Sequence, residues 1–334
     1  MIPTATADPH SPQTKHGGSP MKPKMLLFSG YGAPQEEDIV VCALDGTGTI
    51  HRLTGLRHGG APSFCCRGTD GHIYAVSERP DGSDITLYRL AEGSLHQVRR
   101  MQTPGRGLCH LYACGSVLYG SCFESGDFFA VDADLTRVLW QFNPGAGANA
   151  HWTQQADGML YLADLGHDSL YRVPMHGDLP CAEPRRLAQP ANSGPRQILP
   201  TPHGLLCVNE LDGTLRLLDR EGQTLAKALA SEEKRDTVRN FPGGACMDEA
   251  GRLFLCNRGP NTLTLWDTAN GRLTRRAEWT TGDWPRHIAA LSGTPFIAAA
   301  CTRENAVYGY RMDGETAREV FRLSLPGASC VLEL

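Results

Sequence analysis

The apolar and polar positions of the chain repeat one unit. An apolar run opens at Gly194-Pro195-Arg196-Gln197-Ile198-Leu199, breaks at Pro200 to Gly204, and resumes as Leu206-Cys207-Val208-Asn209-Glu210. Two short apolar runs around a Pro/Gly-rich corner read as antiparallel strands joined by a tight turn. The start of the first strand and the end of the second then share one sheet edge, which sets Arg196 beside Glu210.

Runs of the first kind also open at Ala61-Pro62-Ser63-Phe64, Gly107-Leu108-Cys109-His110, Asn149-Ala150-His151-Trp152, Pro242-Gly243-Gly244-Ala245, Trp284-Pro285-Arg286-His287 and Gly327-Ala328-Ser329-Cys330. Counted from the third residue of each, successive intervals are 46, 42, 45, 48, 42 and 43 residues. A second run follows in nearly every case, and most units add a polar turn and a third run, such as Thr262 to Asp267. This is the period and strand count of β-propeller blades, seven of them. A parallel α/β fold needs amphipathic helices between its strands. The best helical candidate, Thr224 to Asp236, is short and polar enough to be a surface loop with one turn of helix. The chain begins with a second-type run (Met25 to Ser29) and ends with a first-type run (Gly327 to Leu334). Pairing the two closes the ring and removes its exposed edges. The expected fold is all-β: one seven-bladed propeller over residues 24–334, behind a disordered tail 1–23 that carries Pro3, Pro9, Pro12, Pro20 and Pro23.

Composition narrows the function. The net charge of -4 gives no footprint for nucleic acid. No apolar stretch approaches the ~20 residues of a membrane-spanning helix. The first residues lack the apolar core of a secretory leader, and Met21 and Met25 offer alternative starts. Of 12 cysteines, most lie inside predicted strands, as Cys207 and Cys256 do, so buried free thiols in a reducing cytoplasm are expected.

In a propeller the starts of the innermost strands and the ends of the next strands open on one face. The first set brings Ser63, Cys109, His151, Arg196, Gly244, Arg286 and Ser329 together, with His110, Gln197 and His287 beside them. The second brings Gly30, Glu78, Phe123, Leu165, Glu210, Arg258 and Cys301. Charged residues are rarely buried unless paired or functional. Each has a plainer account when taken alone: Arg196–Glu210 as an ion pair within one blade, Glu210–Arg258 as a pair between blades, His151 as a satisfied core histidine. The nearby Asp164 and His167 read as turn capping. Convergence on one mouth weighs against these separate accounts. No Gly-x-Ser-x-Gly, Cys-x-x-Cys, His-Glu-x-x-His or phosphate-loop motif is present. What is left is a cationic pocket with a histidine and a carboxylate. Arginines bind carboxylate or phosphate and stabilise a developing oxyanion, and a histidine or glutamate takes a proton from water. The set suits an anionic ester or lactone and needs no metal or cofactor.

Asn149-Ala150-His151-Trp152, Gly194-Pro195-Arg196-Gln197, Val208-Asn209-Glu210-Leu211, Cys256-Asn257-Arg258-Gly259 and Trp284-Pro285-Arg286-His287 carry a resemblance. Over residues 25–334, in blade order, the chain resembles the seven-bladed propeller lactonases. That family includes bacterial propeller-type 6-phosphogluconolactonase and the fungal carboxymuconate-cyclising enzyme. The resemblance places the family's histidine, two arginines and glutamate at His151, Arg196, Arg258 and Glu210. It departs at Asn149-Ala150, where the family often has a second histidine, and at Gln197, where Gly-Pro-Arg-His is usual.

The expected activity is metal-independent hydrolysis of an anionic sugar lactone. The leading substrate is 6-phosphogluconolactone, within the oxidative pentose phosphate route of carbohydrate metabolism. His151 is expected to activate water, Glu210 to orient it or share that role, and Arg196 to stabilise the oxyanion. Arg258, Arg286 and His287 are expected to hold the phosphate, with Gln197 and Asn149 also against the substrate. The chain is expected to act as a monomer, with no nucleic-acid or membrane partner. A carboxymuconate-type cycloisomerase is one alternative. A non-enzymatic binding propeller is the other, although 7% aromatic residues is little for an interaction platform.

Overall fold

The computed structural model describes residues 22–233 and 236–334, so most of the expected disordered tail lies outside the described residues. Seven antiparallel sheets form the seven blades of a propeller. Blade one joins the C-terminal strand Ala328–Glu333 to Lys24–Gly30, Ile39–Leu44 and Ile50–Leu56. The innermost strands of blades two to seven are Cys65–Arg67, Leu108–Cys114, Ala150–Ala156, Pro195–Thr201, Phe241–Met247 and Pro285–Ala290. Phe28 pairs with Val331 and Leu26 with Glu333, so the ring closes through the two ends of the chain as the sequence implies.

Both faces of each inner sheet are covered, and alternate residues go to different neighbours. Leu205 and Cys207 pack against blade four, while Leu206 and Val208 pack against blade six. Among the described residues the core divides into seven apolar clusters, one at each blade–blade interface. This arrangement explains the near-continuous apolar runs of the inner strands. Outer strands are half exposed and alternate. Thr224–Leu229, at the start of the segment read above as a loop with a turn of helix, is the outer strand of blade five. Its side chains alternate between exposed and partly covered, a period of two that its polarity disguises. All twelve cysteines are unpaired thiols, and most are buried.

Candidate active site

The site owes its shape to a repeated irregularity. Strand register shifts by one residue between Leu108 and His110, Ala150 and Trp152, Pro195 and Gln197, and Pro285 and His287. The residue passed over is Cys109, His151, Arg196 or Arg286. The closing strand does the same at Ser329, between Ala328 and Cys330. A bulge puts two residues opposite one and re-aims their side chains. In three of these blades both members of the consecutive pair line the central funnel: His151 with Trp152, Arg196 with Gln197, Arg286 with His287. Regular alternation would have turned one of each pair away. The space between these side chains is narrow, with about 20 Å³ free for the centre of a water molecule.

The second residue of three pairs clasps the next blade. The N–H of Thr153 donates to His110 Nδ1 at 3.3 Å, that of Ala245 to Gln197 Oε1 at 2.7 Å, and that of Val331 to His287 Nδ1 at 3.1 Å. Gln197 Nε2 also donates to the Ala245 carbonyl. Gln197 and His287 are thus part of the frame as well as the wall. Asn149 is held similarly, its Nδ2 donating to the Phe123 carbonyl at 2.8 Å. Asp164 accepts the N–H groups of Asn149, Gly166 and His167, and pairs with His167 at 2.9 Å. It fixes the turn beside His151, the capping role read from sequence. Phe64, His110, Trp152 and His287 pack ring against ring beneath the funnel, with His110 stacked on Trp152 at 3.6 Å.

The clasps require neutral imidazoles, because Nδ1 must accept. Burial, reinforced by Arg196 and Arg286, pushes His287 down to about 4. A histidine whose folded pKa is depressed gives stability that is complete above its unfolded value of 6.5 and is lost as pH falls toward 4. His287→Gln keeps an acceptor for Val331, as Gln197 does for Ala245, but cannot titrate. This variant should lose less stability than the wild type between pH 6.5 and 4, by about 2–3 kcal/mol at the acid end. Urea midpoints at several pH values measure it; identical slopes would refute the clasp.

On one wall, Glu210 accepts from two arginines: Arg196 at 2.5 Å and Arg258 at 2.7 Å, both through the same oxygen, Oε2. Arg196 and Arg258 are 7% and 4% exposed, so the triad is essentially inside the protein. Burial alone would raise the Glu210 pKa, but the two guanidiniums outweigh it and hold it at about 2. Burial and the neighbouring Arg196 pull Arg258 below the ordinary guanidinium value, and Glu210 opposes them. Arg258 also donates to the carbonyls of Phe241 and Pro242.

The opposite wall holds Arg286 over the ring of Tyr31 at 5.2 Å and 3.6 Å from Glu78, which accepts the Tyr31 hydroxyl at 2.6 Å. Burial works against the charge on Arg286, but the acidic groups around it, Glu78 among them, outweigh burial and keep it protonated. Burial keeps Tyr31 a neutral phenol. Tyr31 is seated by the closing strand: its N–H donates to the Gly327 carbonyl at 3.0 Å, and a Cβ on Gly327 would strike its backbone. Tyr31 was not among the residues singled out from sequence, and its partnership with Arg286 exists only once the ring closes.

His151 stands between these walls, 5% exposed, with Phe123 edge-on at 6.0 Å. Burial and then the three arginines push its pKa well below 6.5, so the imidazole is neutral. Its buried Nδ1 has no hydrogen-bond partner among the described residues. A neutral base with an unused nitrogen, ringed by cations, is equipped to take a proton while negative charge develops beside it.

At the rim, Trp284 has φ of 61°, in the left-handed region. Two residues before the bulge, three blades place Gly107, Gly194 and Gly327 at φ of 57° to 68°. An indole in that slot costs about 1–2 kcal/mol relative to glycine. The backbone N–H of Trp284 is held by the Asn261 side chain, whose Oδ1 accepts it at 3.0 Å.

A family model described as lactonase, 7-bladed beta-propeller, matches residues 25–332. A search of curated proteins finds no match. Among solved structures, the periplasmic gluconolactonase of Pseudomonas aeruginosa superposes with a TM-score of 0.84 at 19% identity, covering 94% of this chain and 99% of that one. A Lactobacillus plantarum protein gives 0.84 at 21% identity, covering 94% and 100%. A Bacteroides fragilis protein, provisionally assigned as a 6-phosphogluconolactonase, gives 0.83 at 17%, covering 97% and 100%. At these identities the likeness establishes the fold, while the family model spans nearly every described residue. The chain belongs to the seven-bladed β-propeller lactonase family.

Proposed function

We propose that the funnel hydrolyses an anionic sugar lactone, with 6-phosphogluconolactone as the leading substrate. The observation that carries this reading is a neutral, buried His151 surrounded by Arg196, Arg258 and Arg286. The names of the Bacteroides fragilis and Pseudomonas aeruginosa neighbours agree with a sugar lactone.

In this reading His151 takes a proton from water, and the hydroxide attacks the lactone carbonyl. Arg196 stabilises the oxyanion of the tetrahedral adduct. Its collapse breaks the bond to the ring oxygen, which recovers the proton from His151 and becomes the free hydroxyl. The new carboxyl group ionises to solvent. Glu210, held ionised by two guanidiniums, is a poor base and serves to aim Arg196 and Arg258. Arg286 has the longer ion pair and is the cation most open to the substrate. No metal enters the scheme; among the described residues no group of three or more His, Cys, Asp or Glu is placed to hold one.

The test is the rate of 6-phosphogluconolactone hydrolysis over its spontaneous rate, with and without chelator, for wild type and His151→Ala. Chelator-insensitive turnover that drops about a hundredfold or more in the variant is expected. Turnover at the background rate would overturn the substrate, and a panel of dicarboxylate lactones would then separate a muconate-type reaction from a binding role. Full activity in His151→Ala would overturn the base.

A further inference from the structure

The funnel floor carries a small net positive charge. Its formal charges are three arginines (Arg196, Arg258, Arg286) against two glutamates (Glu78, Glu210), with the histidines neutral. One net positive charge suits the single negative charge that develops on a lactone carbonyl. A phosphate dianion needs cations elsewhere.

The rim of blades six and seven supplies them. Arg303 is exposed and lies flat on Trp284, its guanidinium carbon 3.4 Å from the ring centroid. Arg239, also exposed, lies 4.7 Å over Phe241, and the two aromatic rings are 6.0 Å apart. Arg258 approaches the same indole at 5.4 Å, which links this shelf to the catalytic wall. Stacking fixes a guanidinium plane while leaving its N–H edge for hydrogen bonds; Arg239 Nη2 gives one to the Leu211 carbonyl at 2.7 Å, and the guanidinium keeps further N–H groups for an anion. Among the described residues neither Arg303 nor Arg239 has an ion-pair partner. Glu304, next to Arg303, pairs with Arg322 at 2.5 Å, and Asp283, next to Trp284, accepts from Asn261. The second, independent observation is the backbone of Trp284. The slot is glycine in three blades and Ala61, at φ of 54°, in a fourth, so the small residues it otherwise takes are replaced here by a bulky ring that Arg303 and Arg258 cover.

We propose that the Trp284 shelf, with Arg303 and Arg239, is a subsite for the distal phosphate monoester of the substrate. The inference rests on the lactone reading above for its place in catalysis, but phosphate binding can be measured without turnover.

Inorganic phosphate is titrated into the full chain by calorimetry, for wild type, Arg239→Ala/Arg303→Ala and Trp284→Gly. Both variants should weaken phosphate binding by about tenfold or more. Trp284→Gly should do so with an unfolding midpoint no lower than wild type, because glycine suits the left-handed backbone. In kinetics, the ratio of kcat/KM for phosphorylated over unphosphorylated gluconolactone should fall about tenfold in both. Unchanged phosphate affinity in the variants, or no phosphate binding by wild type, overturns the shelf. Wild type that hydrolyses the unphosphorylated lactone yet binds no phosphate leaves the catalytic reading standing and this one refuted. Phosphate binding lost in the variants, with no lactone hydrolysed by wild type, does the reverse.

Discussion

Arg196→Ala should lower kcat and kcat/KM together by about two to three orders of magnitude, the usual cost of removing one oxyanion donor. The equal fall is the informative part. A residue that merely held the ground state would raise KM and spare kcat. Arg196 is suited to the first role because its position is over-determined. It sits in a bulge, is nearly buried, and is aimed by Glu210 at 2.5 Å. Steady-state kinetics on a variant with wild-type circular dichroism decide the matter. Retained turnover in a folded Arg196→Ala protein would remove Arg196 from the chemistry and leave it a structural partner of Glu210.

Glu210→Ala should be the most destabilising single change at the site, by about 3–5 kcal/mol. The reason lies in the cations left behind. Arg196 and Arg258 share this carboxylate inside the protein, and among the described residues neither has another carboxylate within ion-pair range. Breaking a buried ion pair from one side strands a charge, and here two are stranded. The same interaction sets a pH signature. The Glu210 pKa is depressed in the folded state, from 4.5 to about 2, so its stabilisation is complete above 4.5 and is lost as pH falls from there toward 2. Urea unfolding should therefore show a large loss in the variant at pH 7 and a narrowing gap between variant and wild type below pH 4.5. A variant within 1 kcal/mol of wild type at neutral pH would mean that the arginines find other partners or water.

Much of this site was open to reading from the sequence, and what was not has identifiable causes. The repeat was legible because both faces of each inner sheet are buried, which gives apolar runs at a steady interval. The meeting of Arg196 with Glu210 followed from hairpin geometry, and that of Glu210 with Arg258 from the neighbouring unit. The bulges were hidden: one extra residue in a strand leaves the apolar count unchanged, yet it decides that His287 and Arg286 face the funnel together. Gln197 and Asn149 were read as substrate contacts from their place in the motifs, and the structure gives their amides to backbone groups of adjoining blades. Tyr31 was out of reach because its environment is assembled from opposite ends of the chain. Trp284 left a signal that register alone exposes, a bulky residue in a slot that three other units fill with glycine. The outer strand Thr224–Leu229 escaped because a polar strand and a polar loop look alike in composition.

The seam between Ala328–Glu333 and Lys24–Gly30 has a consequence for how the protein is made. A ribosome releases Lys24–Gly30 about 300 residues before its partner strand, so the nascent chain can stack its middle blades while the ring is still open. Until the final strand arrives, Tyr31 has no Gly327 carbonyl to rest on, and Arg286 lacks its seat. Competence thus waits for one late event, the docking of Ala328–Glu333 on Lys24–Gly30.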